Sequence, residues 1–139
     1  MSAPSTPTRI FLVEDNPGDV YLLEKTLRQL EMNYELIRYI DGEQALRAIT
    51  DDDTPVPDLI LLDLNLPRRE GFDVLRSVRS KPRLSGVRVG IFTSSDAAKD
   101  RHRVALIGAA RYIHKPPTLE EFIDQVGQAI KELLDTAAQ

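Results

Sequence analysis

Five short runs of apolar, aromatic and β-branched residues recur along the chain. The runs at 10–13 and 59–62 are continuously apolar, which is the pattern of strands that are buried on both faces of a parallel sheet. The five runs lie at 10–13, 34–40, 59–62, 87–92 and 111–114. The pattern therefore predicts five strands.

Each run is followed by a segment whose apolar residues recur at helical spacing, and these segments predict five helices. They lie at 20–30, 41–49, 72–78, 97–107 and 118–133. Turn residues at 16–19 separate the first strand from the first helix, Gly108 suits a C-terminal cap, and Thr118 with Glu121 forms a capping box. Regular alternation of strand and helix predicts an α/β fold, with a parallel sheet and helices on both of its faces.

The chain has 139 residues, enough for one domain with a substantial core. We predict a flexible N-terminal tail at 1–8, a folded domain at 9–134 and a short C-terminal tail at 135–139, with no output domain attached. No apolar run approaches roughly 18 residues, and no secretion signal is visible. The net charge of -4 gives no reason to expect nucleic-acid binding, and the absence of cysteine excludes thiol chemistry. The sequence predicts a cytoplasmic protein without membrane contact.

Residues able to do chemistry stand directly after four of the five predicted strands. Glu14-Asp15 follows the first strand, Asp63 the third, Thr93-Ser94 the fourth and Lys115-Pro116 the fifth. The carboxyl ends of these strands meet at one edge of a doubly wound sheet, where such folds bind their ligands. A carboxylate at the tip of a buried strand is costly unless a cation or hydrogen-bond donors compensate it. Asp63 is therefore predicted to be the chemical centre.

The residue types at this edge point to phosphorus chemistry. Three carboxylates in one place repel each other, and a hard divalent cation such as Mg²⁺ relieves that repulsion. A lysine and a hydroxyl group beside them suit a phosphoryl group, the lysine as a point charge and the hydroxyl as a hydrogen-bond donor. The combination favours nucleophilic attack on phosphorus by the carboxylate of Asp63.

Four motifs in the same order carry a family resemblance. They are Val13-Glu14-Asp15-Asn16, Asp63-Leu64-Asn65-Leu66-Pro67 with Gly71, Thr93-Ser94, and Tyr112-Ile113-His114-Lys115-Pro116. Through them the chain, from Arg9 to Leu134, resembles the CheY-like receiver domain of two-component response regulators. The resemblance implies a flavodoxin-like (βα)5 fold with strand order 2-1-3-4-5.

By this resemblance Asp63 accepts a phosphoryl group from a sensor histidine kinase or a phosphotransfer protein, with Mg²⁺ or Mn²⁺ as the cofactor. Asp15, Asp63 and the backbone carbonyl of Asn65 hold the cation, while Glu14 orders a water molecule bound to it. Lys115 bridges to the acyl phosphate. Such a domain catalyses only its own phosphorylation and slow dephosphorylation, so we do not expect an enzyme in the ordinary sense.

The resemblance also implies a conformational switch formed by Thr93 and Tyr112. The switch changes the surface built from the fourth helix, the fifth strand and the fifth helix, which binds a downstream protein or a second copy of the chain. Asn65, Ser94 and Ser95 are expected to modulate the lifetime of the phosphoryl group. More narrowly, residues 13–20 with 63–68 are similar to the single-domain regulators of bacterial phytochrome histidine kinases.

One backbone feature and three departures from the family pattern complete the resemblance. The bond between Lys115 and Pro116 is expected to be cis, a conformation that only a prolyl bond adopts at small cost. Arg69 occupies a loop position that is usually apolar, Gly90 lies inside the fourth strand, and Pro117 adds a second proline after the lysine. None of these departures removes a chemical residue.

Two other functions remain as alternatives. A pseudo-receiver would bind partners without being phosphorylated. A phosphatase with an aspartyl nucleophile would need a second aspartate two residues after Asp63, where this chain has Asn65. Simpler interpretations also exist for single features: Thr93-Ser94 as the cap of the following helix, the acids at 51–53 as a solvated loop, and the basic residues between 76 and 88 as a solvated face.

Overall fold

The sheet and its helices alternate along the chain in the predicted order. A computed structural model of the chain describes residues 6–66, 68, 70–94, 97–108 and 110–137. The strands are β1 (Thr8–Val13), β2 (Tyr34–Tyr39), β3 (Leu59–Leu62), β4 (Arg88–Thr93) and β5 (Arg111–His114). The helices are α1 (Pro17–Gln29), α2 (Gly42–Thr50), α3 (Gly71–Ser80), α4 (Ala98–Ile107) and α5 (Leu119–Ala137), with a short 3-10 turn at Pro82–Leu84. None of the helices in these ranges is long and apolar enough to cross a membrane.

All the strands run parallel in one sheet, in the order β2-β1-β3-β4-β5. The predicted strand order is therefore confirmed. Val13 pairs with Leu62, Leu62 with Ile91, and Ile91 with Tyr112, so the central strands end almost level with one another. The residues that follow these strands consequently emerge at the same edge of the sheet.

Two apolar cores lie on the two faces of the sheet, which explains the continuously apolar runs. On one face, Phe11 and Leu62 belong to the core that includes residues of α2 and α3. On the other face, Leu12 and Leu61 belong to the core that includes residues of α1 and α5. Because neighbouring residues of a strand point to opposite faces, a strand covered on both faces has no position left for a polar side chain.

Helix ends account for most differences between the predicted and observed boundaries. Asn16 caps α1, accepting hydrogen bonds at Oδ1 from Gly18 N at 2.8 Å and Asp19 N at 3.3 Å. Residues 17–19, predicted to be a turn, therefore form the first turn of a helix, since proline suits that position. Thr93-Ser94 does not cap α4, because that helix begins at Ala98 and has Ala97 at its N-cap position. That interpretation was wrong.

Helix α4 ends and helix α5 begins close to the predicted positions, and regular structure extends beyond both limits of the predicted domain at 9–134. Thr118 Oγ1 accepts a hydrogen bond from Glu121 N at 3.2 Å at the start of α5, and Gly108 (φ 94°) follows the last residue of α4. Most of the predicted tail at 1–8 lies outside the described residues, but Thr8 already belongs to β1 and donates to the carbonyl of Asn33 at 2.9 Å. Helix α5 runs to Ala137 and so includes part of the predicted C-terminal tail.

Gly90 lets α5 lie close to the middle of the sheet. A Cβ atom at this position would be 3.0 Å from Leu61 Cδ2, 3.2 Å from Leu133 Cδ1 and 3.3 Å from Ile113 Cδ1. These contacts are tighter than most that real side chains make. The unusual glycine in β4 is therefore explained by packing, because it makes room for a leucine of the last helix.

Candidate functional site

Three carboxylates meet where β1 and β3 end. Glu14 directly follows β1 and is fully buried, and Asp63 directly follows β3 and is 6% exposed. Asp15 is exposed, and one carboxylate oxygen each of Glu14, Asp15 and Asp63 lies within 4.8 Å of the others. The backbone continues the ladder of the sheet here, because Asp63 N donates to the carbonyl of Val13 at 3.1 Å. The predicted acidic cluster is thus brought together by the two central strands.

Lys115 reaches this cluster from the end of β5. Its Nζ atom donates to Asp19 Oδ2 at 2.7 Å, to Glu14 Oε2 at 2.9 Å and to Asp63 Oδ2 at 3.3 Å. The backbone N–H of Lys115 donates to the carbonyl of Thr93 at 2.8 Å, which holds the end of β5 against β4. The side chain of Lys115 is 11% exposed. Among the described residues, Lys115 therefore forms ion pairs with three carboxylates at this edge.

The prediction of a cis bond between Lys115 and Pro116 was wrong. No peptide bond among the described residues is cis. The trans form is the one that even a prolyl bond prefers, by roughly 0.5–1 kcal/mol. With the trans bond, Nζ already contacts the carboxylates, so the inward direction of the lysine does not depend on a cis bond.

Burial and neighbouring charges shift the pKa values of two groups at this edge. Burial raises the pKa of Glu14 to about 7, and the charge of Asp63 adds to the rise, while the hydrogen bonds from Lys115 and the Asn16 N–H only partly oppose it. Burial alone would lower the pKa of Lys115, but its hydrogen bonds to Asp19 and Glu14 and the charge of Asp63 raise it well above its ordinary value. The pKa of Glu14 is therefore raised mainly because its carboxyl group is buried, and that of Lys115 because its ammonium group faces several carboxylates.

The donor set at this edge fits a hard divalent cation. Glu14, Asp15 and Asp63 offer carboxylate oxygens, the ligands that Mg²⁺ and Mn²⁺ prefer over sulfur or nitrogen. When bound, such a cation would supply the positive charge that lets all three carboxylates ionise together. Asn65 N donates to Asp63 Oδ1 at 3.2 Å, which fixes the loop after β3. The role of the Asn65 carbonyl as a ligand stays a prediction.

Gly71 closes the loop between β3 and α3 against the backbone of Asp63. Its N–H donates to the carbonyl of Leu64 at 3.0 Å. A Cβ atom on Gly71 would lie 2.2 Å from the carbonyl oxygen of Asp63 and 2.7 Å from the Cα atom of Leu64. No larger residue fits there without moving the backbone that carries Asp63. Pro67 and Arg69, in the same loop, lie outside the described residues.

The predicted switch residues lie on neighbouring strands. Thr93 ends β4 and is fully buried, whereas Tyr112 in β5 is half-buried and packs against the core that contains Leu62. The guanidinium group of Arg101 lies 4.4 Å from the centre of the Tyr112 ring. Ser94 is exposed, and its carbonyl lies 3.1 Å from His114 Nε2. Ser95, predicted to modulate the site, lies outside the described residues.

Two residues of the site were missed by the sequence analysis. Asp19 in the first turn of α1 is the nearest partner of Lys115. Arg38, in the edge strand β2, donates from Nε to the carbonyl of Glu14 at 3.1 Å and from a terminal nitrogen to the carbonyl of Asp15 at 3.2 Å. Asp19 could have been noticed in the sequence, because it is an acid three residues after the capping residue Asn16 at the same edge of the sheet. No comparable signal marked Arg38.

Comparisons with known proteins agree with this arrangement. The profile of the response regulator receiver domain matches residues 10–127. The response regulator Rcp1 of Synechocystis sp. PCC 6803 is 36% identical over 72% of this chain and 71% of Rcp1. The transcriptional regulatory protein PrrA of Mycobacterium tuberculosis is 29% identical over 99% of this chain, which spans only 56% of PrrA.

Solved structures give the same result. The structure of the phosphorylated cyanobacterial phytochrome response regulator RcpA has a TM-score of 0.85 at 30% identity, over 96% of this chain and 98% of that chain. The Mn²⁺-bound form of the response regulator Rcp1 has a TM-score of 0.82 at 31% identity, over 91% of this chain and 93% of that chain. Together with the profile match over residues 10–127, these likenesses show that the chain belongs to the response regulator receiver domain family.

Proposed function

We propose that this domain is a phosphorylation-dependent switch in which Asp63 accepts a phosphoryl group. One observation carries the proposal: the almost buried carboxylate of Asp63 lies 3.3 Å from the ammonium group of Lys115, next to the carboxylates of Glu14 and Asp15. A nucleophile, a positive point charge and a set of hard oxygen ligands at one strand edge are what phosphoryl transfer requires.

The reaction would proceed by direct attack of Asp63 on the phosphorus atom of a phosphohistidine. A carboxylate oxygen forms the new O–P bond, the P–N bond breaks, and its electron pair returns to the imidazole nitrogen. Lys115 remains protonated throughout, because its pKa is raised, and its charge stabilises the oxygens of the phosphoryl group. Mg²⁺ or Mn²⁺ held by Asp15, Asp63 and the backbone carbonyl of Asn65, with Glu14 ordering a bound water molecule, would supply further positive charge to the same oxygens.

The signal would leave the site through Thr93 and Tyr112. The hydroxyl group of Thr93 would hydrogen-bond to a phosphoryl oxygen, and the ring of Tyr112 would follow into the vacated space. The contact between Arg101 and the ring links this tyrosine to α4, so its movement would change the surface formed by α4, β5 and α5. Asn65, Ser94 and Ser95 would modulate how long the phosphoryl group survives.

The proposed partners follow from the relatives. Because the similar solved structures include a cyanobacterial phytochrome response regulator, we propose that this protein is cytoplasmic and receives its phosphoryl group from a sensor histidine kinase of phytochrome type, directly or through a phosphotransfer protein. The phosphorylated domain would bind a downstream protein or a second copy of itself through the α4-β5-α5 surface.

The test is phosphorylation by a small donor. The purified protein, treated with acetyl phosphate and Mg²⁺, should gain one phosphoryl group by intact-mass spectrometry, and Asp63→Asn should gain none. Asp52→Asn is the matched control, because Asp52 is also an aspartate but lies in an exposed loop at the opposite edge of the sheet. Equal incorporation by Asp63→Asn would contradict the assignment, and no incorporation by the unmodified protein would favour a pseudo-receiver.

A further inference from the structure

Asp19 holds Lys115 more closely than either buried carboxylate does. The distance from Lys115 Nζ to Asp19 Oδ2 is 2.7 Å, compared with 2.9 Å to Glu14 Oε2 and 3.3 Å to Asp63 Oδ2. A lysine ammonium group has three hydrogens, and each of these three acceptors can take one. The longest of the three hydrogen bonds is the one to Asp63.

The local backbone fixes the position of Asp19. It lies in the first turn of α1, and its own N–H donates to Oδ1 of the capping residue Asn16 at 3.3 Å. A carboxylate in the first turn is also favoured by the partial positive charge of the helix N-terminus. The side chain of Asp19 is 20% exposed, compared with 1% for Glu14 and 7% for Asp63, so it lies at the rim of the three carboxylates that contact Lys115.

We propose that Asp19 is a positioning residue, which holds the ammonium group of Lys115 at the rim and so keeps it from closing onto Asp63. This inference rests on the proposed function, since it concerns how the phosphoacceptor is kept accessible. In the part of the chain that the structure describes, the side chain of Asp19 forms its ion pair with Lys115, and in this proposal it acts through that lysine.

The consequence of losing Asp19 follows from the charges that remain. Lys115 would remain charged, and its ammonium group would donate hydrogen bonds to Glu14 and Asp63 alone. A closer ion pair with Asp63 would cover the nucleophile and would compete with a divalent cation for the same two carboxylates. Phosphorylation would therefore slow and Mg²⁺ would bind more weakly, although every residue assigned to the chemistry is still present.

The first experiment observes the lysine itself. In the wild-type protein without divalent cation, the ammonium protons of Lys115 should give an NMR signal, because three hydrogen bonds slow their exchange with water. Asp19→Asn should lose or greatly weaken this signal, and Glu24→Gln, which removes one charge from the same helix at a residue that is not a partner of Lys115, should keep it. An unchanged signal in Asp19→Asn would overturn the proposal.

The second experiment measures phosphorylation by acetyl phosphate and binding of Mg²⁺ alone. We expect Asp19→Asn to slow phosphorylation about tenfold, the lower end for losing a hydrogen bond between charged groups, and to weaken Mg²⁺ binding more than Glu24→Gln does. Equal effects of the two substitutions, or faster phosphorylation of Asp19→Asn, would overturn the proposal.

The two experiments separate this inference from the proposed function. If Asp63→Asn blocks phosphorylation while Asp19→Asn behaves as Glu24→Gln does, the inference is wrong and the proposed function stands. If the wild-type protein takes up no phosphate but loses the Lys115 signal on Asp19→Asn, the positioning contact is real and the proposed function fails.

Discussion

The two edges of the sheet hold their charges in opposite ways. At the edge where the strands end, which we call the carboxylate edge, one ammonium group faces the carboxylates of Glu14, Asp19 and Asp63. At the edge where they begin, which we call the arginine edge, guanidinium groups donate to backbone carbonyls and also form separate ion pairs, Arg9 with Glu35 and Arg83 with Asp52. Arg83 donates to the carbonyls of Ile49, Asp51 and Thr54 at 3.0, 2.8 and 3.1 Å, Arg79 donates to Val87, and Arg88 to Gly86.

The difference shows which edge can use a ligand. The carbonyls that Arg83 binds include those of the last turn of α2 and the loop after it, where cations are favoured by the helix dipole. The positive charge of Arg83 at the arginine edge therefore already has acceptors in the protein. The carboxylate edge has more acids than cations, since the single ammonium group of Lys115 forms ion pairs with three carboxylates. The basic residues between 76 and 88 are thus not simply a solvated face, because Arg79 and Arg83 are half-buried and hydrogen-bonded to carbonyls.

Two glycine substitutions, one at each edge, should show the largest difference in the free energy of unfolding. Gly71→Ala places a Cβ atom 2.2 Å from the Asp63 carbonyl oxygen, whereas Gly86 at the arginine edge has no atom within 4 Å of the same position. We expect Gly71→Ala to lower the free energy of unfolding by more than about 3 kcal/mol, because backbone must move. Gly86→Ala should change it by less than about 0.5 kcal/mol. Urea denaturation measures both, and equal losses would contradict the packing argument.

Removing one cation from each edge should give the next largest effect. Lys115→Met leaves partly buried carboxylates without their ammonium group, and we expect a loss of about 3 kcal/mol, the lower end for breaking a buried ion pair. The loss is at that end because Glu14 can take up a proton. Arg83→Met should cost about 1–2 kcal/mol for carbonyls left unpaired.

Mg²⁺ distinguishes the two losses. In urea denaturation with added Mg²⁺, Lys115→Met should recover much of its stability, because the cation replaces the missing positive charge, and Arg83→Met should recover nothing beyond the wild-type response. Equal recovery by both variants, or none by Lys115→Met, would show that the imbalance at the carboxylate edge does not control cation binding.

The pH dependence of stability should give the smallest effect. The pKa of Glu14 is 4.5 in its ordinary state and about 7 in the folded protein. Below pH 4.5 the carboxyl group of Glu14 is protonated in both the folded and the unfolded state, so it does not make the free energy of unfolding depend on pH. Between the two values the folded protein binds more protons than the unfolded chain, so the free energy of unfolding falls as pH rises. A full shift of this size is about 3 kcal/mol, and since Asp63 and Lys115 share the charge we expect about 2 kcal/mol.

The measurement is urea denaturation between pH 4.5 and 8 in the presence of a chelator. Glu14→Gln should lack the fall in the free energy of unfolding that Glu14 causes. The stability of the variant relative to the wild type should therefore increase steadily from pH 4.5 to 8. Parallel curves for the two proteins would contradict the raised pKa. Arg83→Gln serves as the control at the arginine edge and should leave the pH dependence unchanged.

The parts of the molecule that were predictable are those that depend on local pattern. The apolar runs at 10–13 and 59–62 require burial on both faces, so the central strands follow from them. The meeting of Glu14, Asp63 and Lys115 follows from the parallel topology, because residues after neighbouring strands emerge at one edge. Both inferences needed only side-chain type and order along the chain.

What the sequence did not reveal depends on three-dimensional placement. Asp19 has the appearance of an ordinary first-turn acid, and only the structure shows that the side chain of Lys115 reaches it across the carboxylate edge. Arg38 acts through backbone carbonyls, which are the same for every residue and leave no mark in a sequence. The expected cis bond came from the family pattern alone, and no residue of this chain required it.

The ion pairs of Lys115 join parts of the chain that are far apart in order. The lysine is 101 residues from Glu14, 96 from Asp19 and 52 from Asp63, so the site forms only after the last strand has joined the sheet. Contacts of such long range slow folding, because the chain must close large loops before it gains their energy. Detachment of β5 would leave Glu14, Asp19 and Asp63 without the ammonium group that they share. The ion pairs of Lys115 therefore connect the last strand to the first and third strands of the sheet as well as to its neighbour.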